Sequence, residues 1–244
     1  MKNVTLTELL EAGSHFGHQK RRWNPAMKSF IYGERDGVHV FDLAKTKDCL
    51  EKAAEFLAGV VANDGVVLFV GTKRQASEML VDAAKKAGMP YVNVRWMGGL
   101  LTNWSHLSKS ILKLTDYKQK RATGEFKKYT KKEQLLLDRE IGRLEKFFGG
   151  VSDLKKIPDA MFVVDTHREE VAVLEAVRMG VPVVGIVDSN ANPDIVTYPI
   201  PANDDAVKSL ELIISFIGDS VMKIAPVEIK SEPKKRIKKV EEDK

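Results

Sequence analysis

Three aspartates late in the chain, Asp188, Asp204 and Asp205, and one histidine near its start, His18, are the side chains best suited to holding a cation. Asp188 follows an apolar run and the other two open the last helical stretch, so neighbouring strand ends would converge their carboxylates on the ligand side of a sheet. A divalent ion would relieve the repulsion among them, with His18 adding an imidazole. Mixed His and Asp ligation suits zinc, whereas carboxylates and water alone suit magnesium. Such an ion would pin the N-terminal segment to the domain, and no cofactor is required for any reaction. The competing reading is that these carboxylates only cap a helix and shape a turn.

A second chemistry is phosphate contact. Val70-Gly71-Thr72-Lys73-Arg74 runs from an apolar stretch into a helix start, where free N–H groups plus Lys73 and Arg74 suit an anion. The remaining glycines of a dinucleotide fingerprint are missing, as is the Gly-Lys-Ser/Thr ending of a phosphate loop. RNA backbone would satisfy such a site. In the segment from Arg95 to Trp104, paired glycines allow close backbone approach, and Arg95, Trp96, Asn103 and Trp104 are candidates to meet RNA bases, although by composition alone both tryptophans read as packing residues. Near the N-terminus, Lys20, Arg21, Arg22, Trp23 and Asn24 interleave cations with an aromatic and an amide, a composition suited to irregular RNA. No Ser/His/Asp set, paired-acid signature or metal-hydrolase motif is legible, so an enzyme is not expected. The alternative is a nucleotide-binding enzyme or module on a Rossmann-like fold, which fold class alone does not exclude.

These residues need a frame to position them. Thr5 and Glu8 read as a capping box opening a short helix that Gly13 closes, separate from the main fold. From residue 38 the pattern alternates: strands at 38–41, 66–70, 91–94, 161–164, 183–187 and 195–200, with helices at 45–62, 73–87, 168–179 and 203–223. Apolar strands separated by single helices require right-handed crossovers, giving an α/β fold with a doubly wound parallel sheet. The expected organisation is an N-terminal helix and basic, aromatic extension over 1–37, and an α/β domain over 38–102 and 149–225. An inserted hairpin over 103–148 and a disordered charged tail over 226–244 complete it.

The insertion repeats Leu107, Ile111, Leu114 and then Leu137, Ile141, Leu144, Phe148 at spacings of three and four, which predicts two antiparallel helices zipped as a coiled-coil hairpin. It carries twelve basic residues against six acidic ones, a net of about +6. The whole chain carries +5, so everything outside the hairpin is slightly negative. Arg121, Lys127, Lys128, Lys131 and Lys132 crowd the tip, where they repel one another unless a polyanion neutralises them.

Composition narrows the class further. The 244 residues are 43% hydrophobic, enough for one core with an insertion. Apolar runs are strand-length, far short of the roughly 20 residues that span a bilayer, so no membrane span is expected. The N-terminal residues lack a signal or transit pattern and Cys49 is alone, which together predict a cytoplasmic chain without disulfides.

The stretches GSHFGHQKRRWNPAMKSFIYGERDGVHVFDLAKT, LFVGTKRQAS, VRWMGGLLTNW, PDAMFVVDTHREEVAVLEAVRMGVPVVGIVDSNANPD and IPANDDAVKSL occur in that order over residues 13–210. Together they resemble the bacterial small-subunit ribosomal protein S-two family. The resemblance implies a flavodoxin-like α/β domain bearing a coiled-coil hairpin, ribosome-bound in the cytoplasm. It implies docking on small-subunit rRNA between head and body, late in assembly, rather than a homo-oligomer. It further implies contact with other small-subunit proteins, including the mRNA-binding ribosomal protein numbered one, for which the chain would be a platform.

Overall fold

The structure, a computed structural model, describes residues 4–222; the charged tail expected over 226–244 lies outside them. Thr5 caps α1 (Leu6–Glu11): its hydroxyl accepts from the Glu8 N–H, and the Glu8 side chain accepts from the Thr5 N–H. The helix is not separate from the main fold, as its sequence suggests. Val4 and Leu9 are buried in the core that α2 builds, because Leu9 lies on the face that turns inward.

The basic, aromatic extension, for which no strand is expected from the sequence, forms strands. β1 (Phe16–Gln19) and β2 (Ile31–Arg35) flank β3 (Val38–Phe41) in an antiparallel three-stranded sheet. Val38–Phe41 therefore does not begin the parallel sheet. The cause is local: Asp36 and Gly37 both take positive φ, 52° and 75°, and join β2 to β3 with Arg35 opposite Val38. Asp-Gly between strands is a two-residue hairpin turn, since both central positions need left-handed backbone.

After α2 (Leu43–Ala62) comes the doubly wound part. β4 (Val67–Val70), α3 (Arg74–Ala87), β5 (Tyr91–Val92), β6 (Ala160–Val163), α6 (Glu170–Met179), β7 (Val183–Val187), β8 (Tyr198–Pro201) and α7 (Val207–Ser220) follow in chain order, with the pair α4 (Trp104–Ala122) and α5 (Lys131–Phe148) between β5 and β6. The five strands lie in the order β5-β4-β6-β7-β8, each pair parallel, which is the flavodoxin-like arrangement.

The pleat sorts side chains onto two cores. Val67, Phe69, Phe162, Val184 and Ile200 face α2, α3 and α7. Leu68, Val70, Met161, Val163 and Val183 join the opposite core, where α6 contributes Ala172, Val173 and Ala176. That second core runs on through Ile111, Leu114, Ile141, Leu144 and Phe148, so α4 and α5 share its apolar seam. α4 departs just after β5, and the turn following α5 packs back on β5, so the two helices run out and return. Parallel strands also place the loops after β4, β6, β7 and β8 at one edge, where the candidate residues meet.

Gly37→Val is expected to cost about 1–3 kcal/mol through the left-handed φ at that position. Gly33→Ala, in the same sheet with open space around a Cβ, should be near neutral. Thermal melts of the two variants followed by circular dichroism compare them directly.

Candidate functional site

Lys73 sits at the carboxyl edge of the sheet, immediately before α3, and its ammonium is engaged from three sides. Nζ lies 2.7 Å from Asp204 Oδ1, 2.6 Å from Asp205 Oδ1 and 3.3 Å from Asp165 Oδ2. Lys73, Asp165 and Asp204 are all buried. The expectation that Lys73 projects from an exposed helix start to hold phosphate is therefore corrected: its charge is spent inside the protein. The Thr72 N–H of the loop is spent too. Thr72 donates its backbone N–H and hydroxyl to Glu169 Oε1, and Arg168 Nε donates to the Thr72 hydroxyl. Arg74, by contrast, is exposed.

His18 reaches this cluster from β1. Its Nδ1 lies 3.0 Å from Asp188 Oδ1 and its Nε2 3.6 Å from Asp205 Oδ2. The approach depends on Gly17, where a Cβ would fall 2.9 Å from Ser189 Oγ. Ser189 also accepts from the His18 N–H through its hydroxyl and from the Asn24 N–H through its carbonyl. His18, Asp188 and Asp204 each offer one ligand atom within 4.8 Å of the others. Asp205 is exposed and binds Lys73 instead, so it stands at the margin of the expected cation group.

The electrostatics follow from crowding. Burial pushes the Asp204 carboxyl up to about 7, and the charges of Asp188 and Asp165 push the same way, against Lys73. One ammonium does not neutralise three buried carboxylates. The hydrogen bond to Asp188 raises His18, opposed by its burial, and the nearby aspartates raise it further. Burial opposes the charge on Lys73, but the bonds to Asp204 and Asp205 win and raise it. Burial also raises Asp205, and the same ammonium overrides it and holds that carboxyl low. Glu169 is raised, chiefly by burial.

The Arg95–Trp104 segment is organised by a residue that sequence reading missed. Glu175 projects from α6 into the loop and accepts from Trp96 Nε1, the N–H groups of Gly99, Leu101 and Thr102, and the Thr102 hydroxyl. Gly99 has φ of 90°, which lets the backbone wrap the carboxylate. Trp96 is thus a buried packing residue rather than an exposed stacking surface, and Trp104 is half-buried against the second core. Arg95 and Asn103 remain exposed. The available signal was positional: Glu175 stands three residues after Ala172 on the inward face of a helix, where an unpartnered charge is costly.

In the N-terminal segment, Lys20 pairs with Glu34 at 2.7 Å and Arg21 Nε donates to Gln19. Trp23 stacks on His39, and the Asn24 side chain caps the turn at Pro25. Arg22 is exposed. The structure does not bring these residues to the cation cluster, apart from the Asn24 backbone contact.

Most cations along the hairpin shaft are paired, though Lys109, Arg139 and Lys146 are exposed there without an ion pair among the described residues. Along the shaft, Lys113 and Arg143 pair with Glu140, Lys118 with Glu145, Lys120 with Asp116 and Arg121 with Asp138. At the tip Lys127, Lys128, Lys131 and Lys132 are exposed, and among the described residues none of them forms an ion pair. Phe126, buried between Tyr117 and Tyr129, folds the tip back and holds those lysines outward.

The family profile described as Ribosomal protein S2 matches residues 9–223. The chain belongs to the ribosomal protein S2 family. Membership makes this S2-family chain a structural protein of the small ribosomal subunit. Among the described residues no helix is long and apolar enough to cross a membrane.

Burial would raise the Glu175 carboxyl, but the N–H groups around it prevail and hold it below its ordinary 4.5. Its contribution to stability is therefore complete above the unfolded-state value and lost as pH falls through the lower folded one. Glu175→Gln should cost about 2–3 kcal/mol at pH 7 by pointing an amide at N–H donors. Denaturant titrations across pH should show the gap between parent and variant closing below pH 4.5.

Proposed function

We propose that this chain binds small-subunit rRNA through the exposed lysines of its hairpin tip, while the α/β domain fixes that tip in space. The observation that carries this reading is the contrast between shaft and tip just described. Five of the eight shaft cations pair with acids of the hairpin itself, whereas the tip clusters four exposed lysines that no described ion pair engages, the pattern of a phosphate-contacting surface. Arg22, Arg74, Arg95 and Asn103, exposed on the domain and its extension, supply further contacts to the same polyanion. On this reading the protein lies between head and body of the subunit in the cytoplasm. It is a platform for the mRNA-binding ribosomal protein numbered one, a role supported by two aromatics left exposed on the small sheet, Phe16 and Tyr32.

Replacing Lys127, Lys128, Lys131 and Lys132 with Ala should lower the salt slope of RNA binding by roughly 0.7–0.9 for each phosphate that a lysine no longer neutralises. Filter binding across salt concentrations measures it, and an unchanged slope would return the tip to a merely solvated surface.

A structural role for a divalent metal has its own support. The buried acids outnumber the basic groups that face them, and His18 with Asp188 and Asp204 forms a donor set of the mixed kind that suits zinc. The ion would tie β1 to the loops after β7 and β8 and take no part in catalysis. Metal-free protein re-equilibrated with zinc should retain about one ion per chain by elemental analysis. His18→Ala with Asp188→Ala should retain none; full retention in that variant defeats the proposal.

A further inference from the structure

At the amino edge of the sheet, away from the carboxylate cluster, a cavity of about 630 Å³ opens between the starts of β4 and β5, the end of α3 and the turn after α5. The volume is in the range of pockets that bury a compact organic ligand. Its walls are apolar and include Met89, Pro90, Leu154 and the half-buried ring of Tyr91. Gly149 and Gly150 form one side, where the backbone comes so close that a Cβ on Gly150 would lie 2.2 Å from the Tyr91 carbonyl oxygen.

The rim has the opposite character. Lys85, Lys155 and Lys156 line the mouth, with Asp153 as the acid among them. Lys156 is held by Asp159 at 2.9 Å. Lys85 and Lys155 are exposed, and among the described residues no ion pair engages either one. An apolar hollow with an aromatic wall and unneutralised cations at its mouth fits a flat, weakly polar body attached to anionic groups. A nucleobase between two phosphates has that form. The cavity lies at the root of the hairpin whose tip is the proposed interface, since Gly149 directly follows the last residue of α5.

We propose that this cavity receives one unpaired nucleotide of single-stranded RNA, its base against Tyr91 and its flanking phosphates on Lys85 and Lys155. The proposal rests on the RNA-binding reading and adds to it a site that reads a base rather than only backbone charge.

The test uses the full chain and the chain with the four tip lysines replaced by Ala, each with a uridine hexamer carrying 4-thiouridine. After irradiation, crosslinked peptides are identified by mass spectrometry. Crosslinks within residues 88–91 or 149–156 are expected in both proteins. Lys85→Glu with Lys155→Glu, on exposed positions that leave the fold intact, should weaken hexamer binding about tenfold or more and lower the salt slope by about 1.4. Asp153→Leu, which narrows the mouth while removing a negative charge, should reduce the crosslinks; stronger crosslinking would mean charge alone is read. Equal affinity for a hexamer lacking its bases overturns the proposal. So does occupation by uridine monophosphate with no hexamer crosslinks there, which would mark a free-nucleotide site, or capture of an acidic apolar peptide in the cavity while the hexamer crosslinks elsewhere. Crosslinks confined to the hairpin tip overturn this proposal and leave the RNA-binding reading standing, whereas no hexamer binding to either protein defeats both.

Discussion

One buried ammonium holds the carboxyl edge of this domain together. Lys73 arrives from the loop after β4 and meets Asp165 from the loop after β6 and Asp204 and Asp205 from the loop after β8. Next to it the Asp188 carboxylate, after β7, joins the His18 ring to the Asp204 N–H. Four strand ends and the N-terminal segment are therefore tied through one connected group of charges. A buried charge set of this kind need not be more stable than an apolar core of equal volume. What it supplies is selectivity of arrangement, because the N-terminal segment satisfies the group only with Gly17 against Ser189.

The same edge is where an open parallel sheet ordinarily takes a ligand. Here the crevice is filled from within. The loop N–H of Thr72 goes to Glu169, the cation that would face a phosphate goes to aspartates, and the Ser14 carbonyl and hydroxyl close on Asn203 and Ser209. A fold that commonly presents nucleotides thus presents its basic residues elsewhere: on the hairpin, on the N-terminal turn and around the amino edge of the sheet.

The doubly wound frame was legible because its strands are apolar runs of the right length and its helices are periodic. The elements expected at 66–70, 183–187 and 45–62 stand at 67–70, 183–187 and 43–62. The three-stranded sheet was hidden because Phe16–Gln19 is short and polar, and the signal that did exist, Asp36-Gly37, lies in two residues rather than a period. Among the site residues, His18, Asp188 and Asp204 were recognisable by type and come together as type suggests. Lys73 was misread, and Trp96 was left open between base contact and packing, for a common reason. A cation after a strand and an indole beside glycines look exposed until their acidic partners are known, and Glu175 and Asp204 lie 79 and 131 residues away. Only tertiary pairing separates a phosphate-binding lysine from an internal counter-ion.

The length of the α4–α5 pair has an electrostatic consequence. Nineteen helical residues at about 1.5 Å each carry the tip nearly 30 Å from the root of α4. The screening length at physiological salt is about 8 Å, so the acidic interior of the domain does not dim the lysines at the far end. Seen from a distance the molecule is a lopsided charge distribution, positive at one pole and close to neutral at the other. In the field of a polyanion such a body experiences a torque before it experiences contact. The hairpin would swing to lead, and the domain would follow it in already oriented.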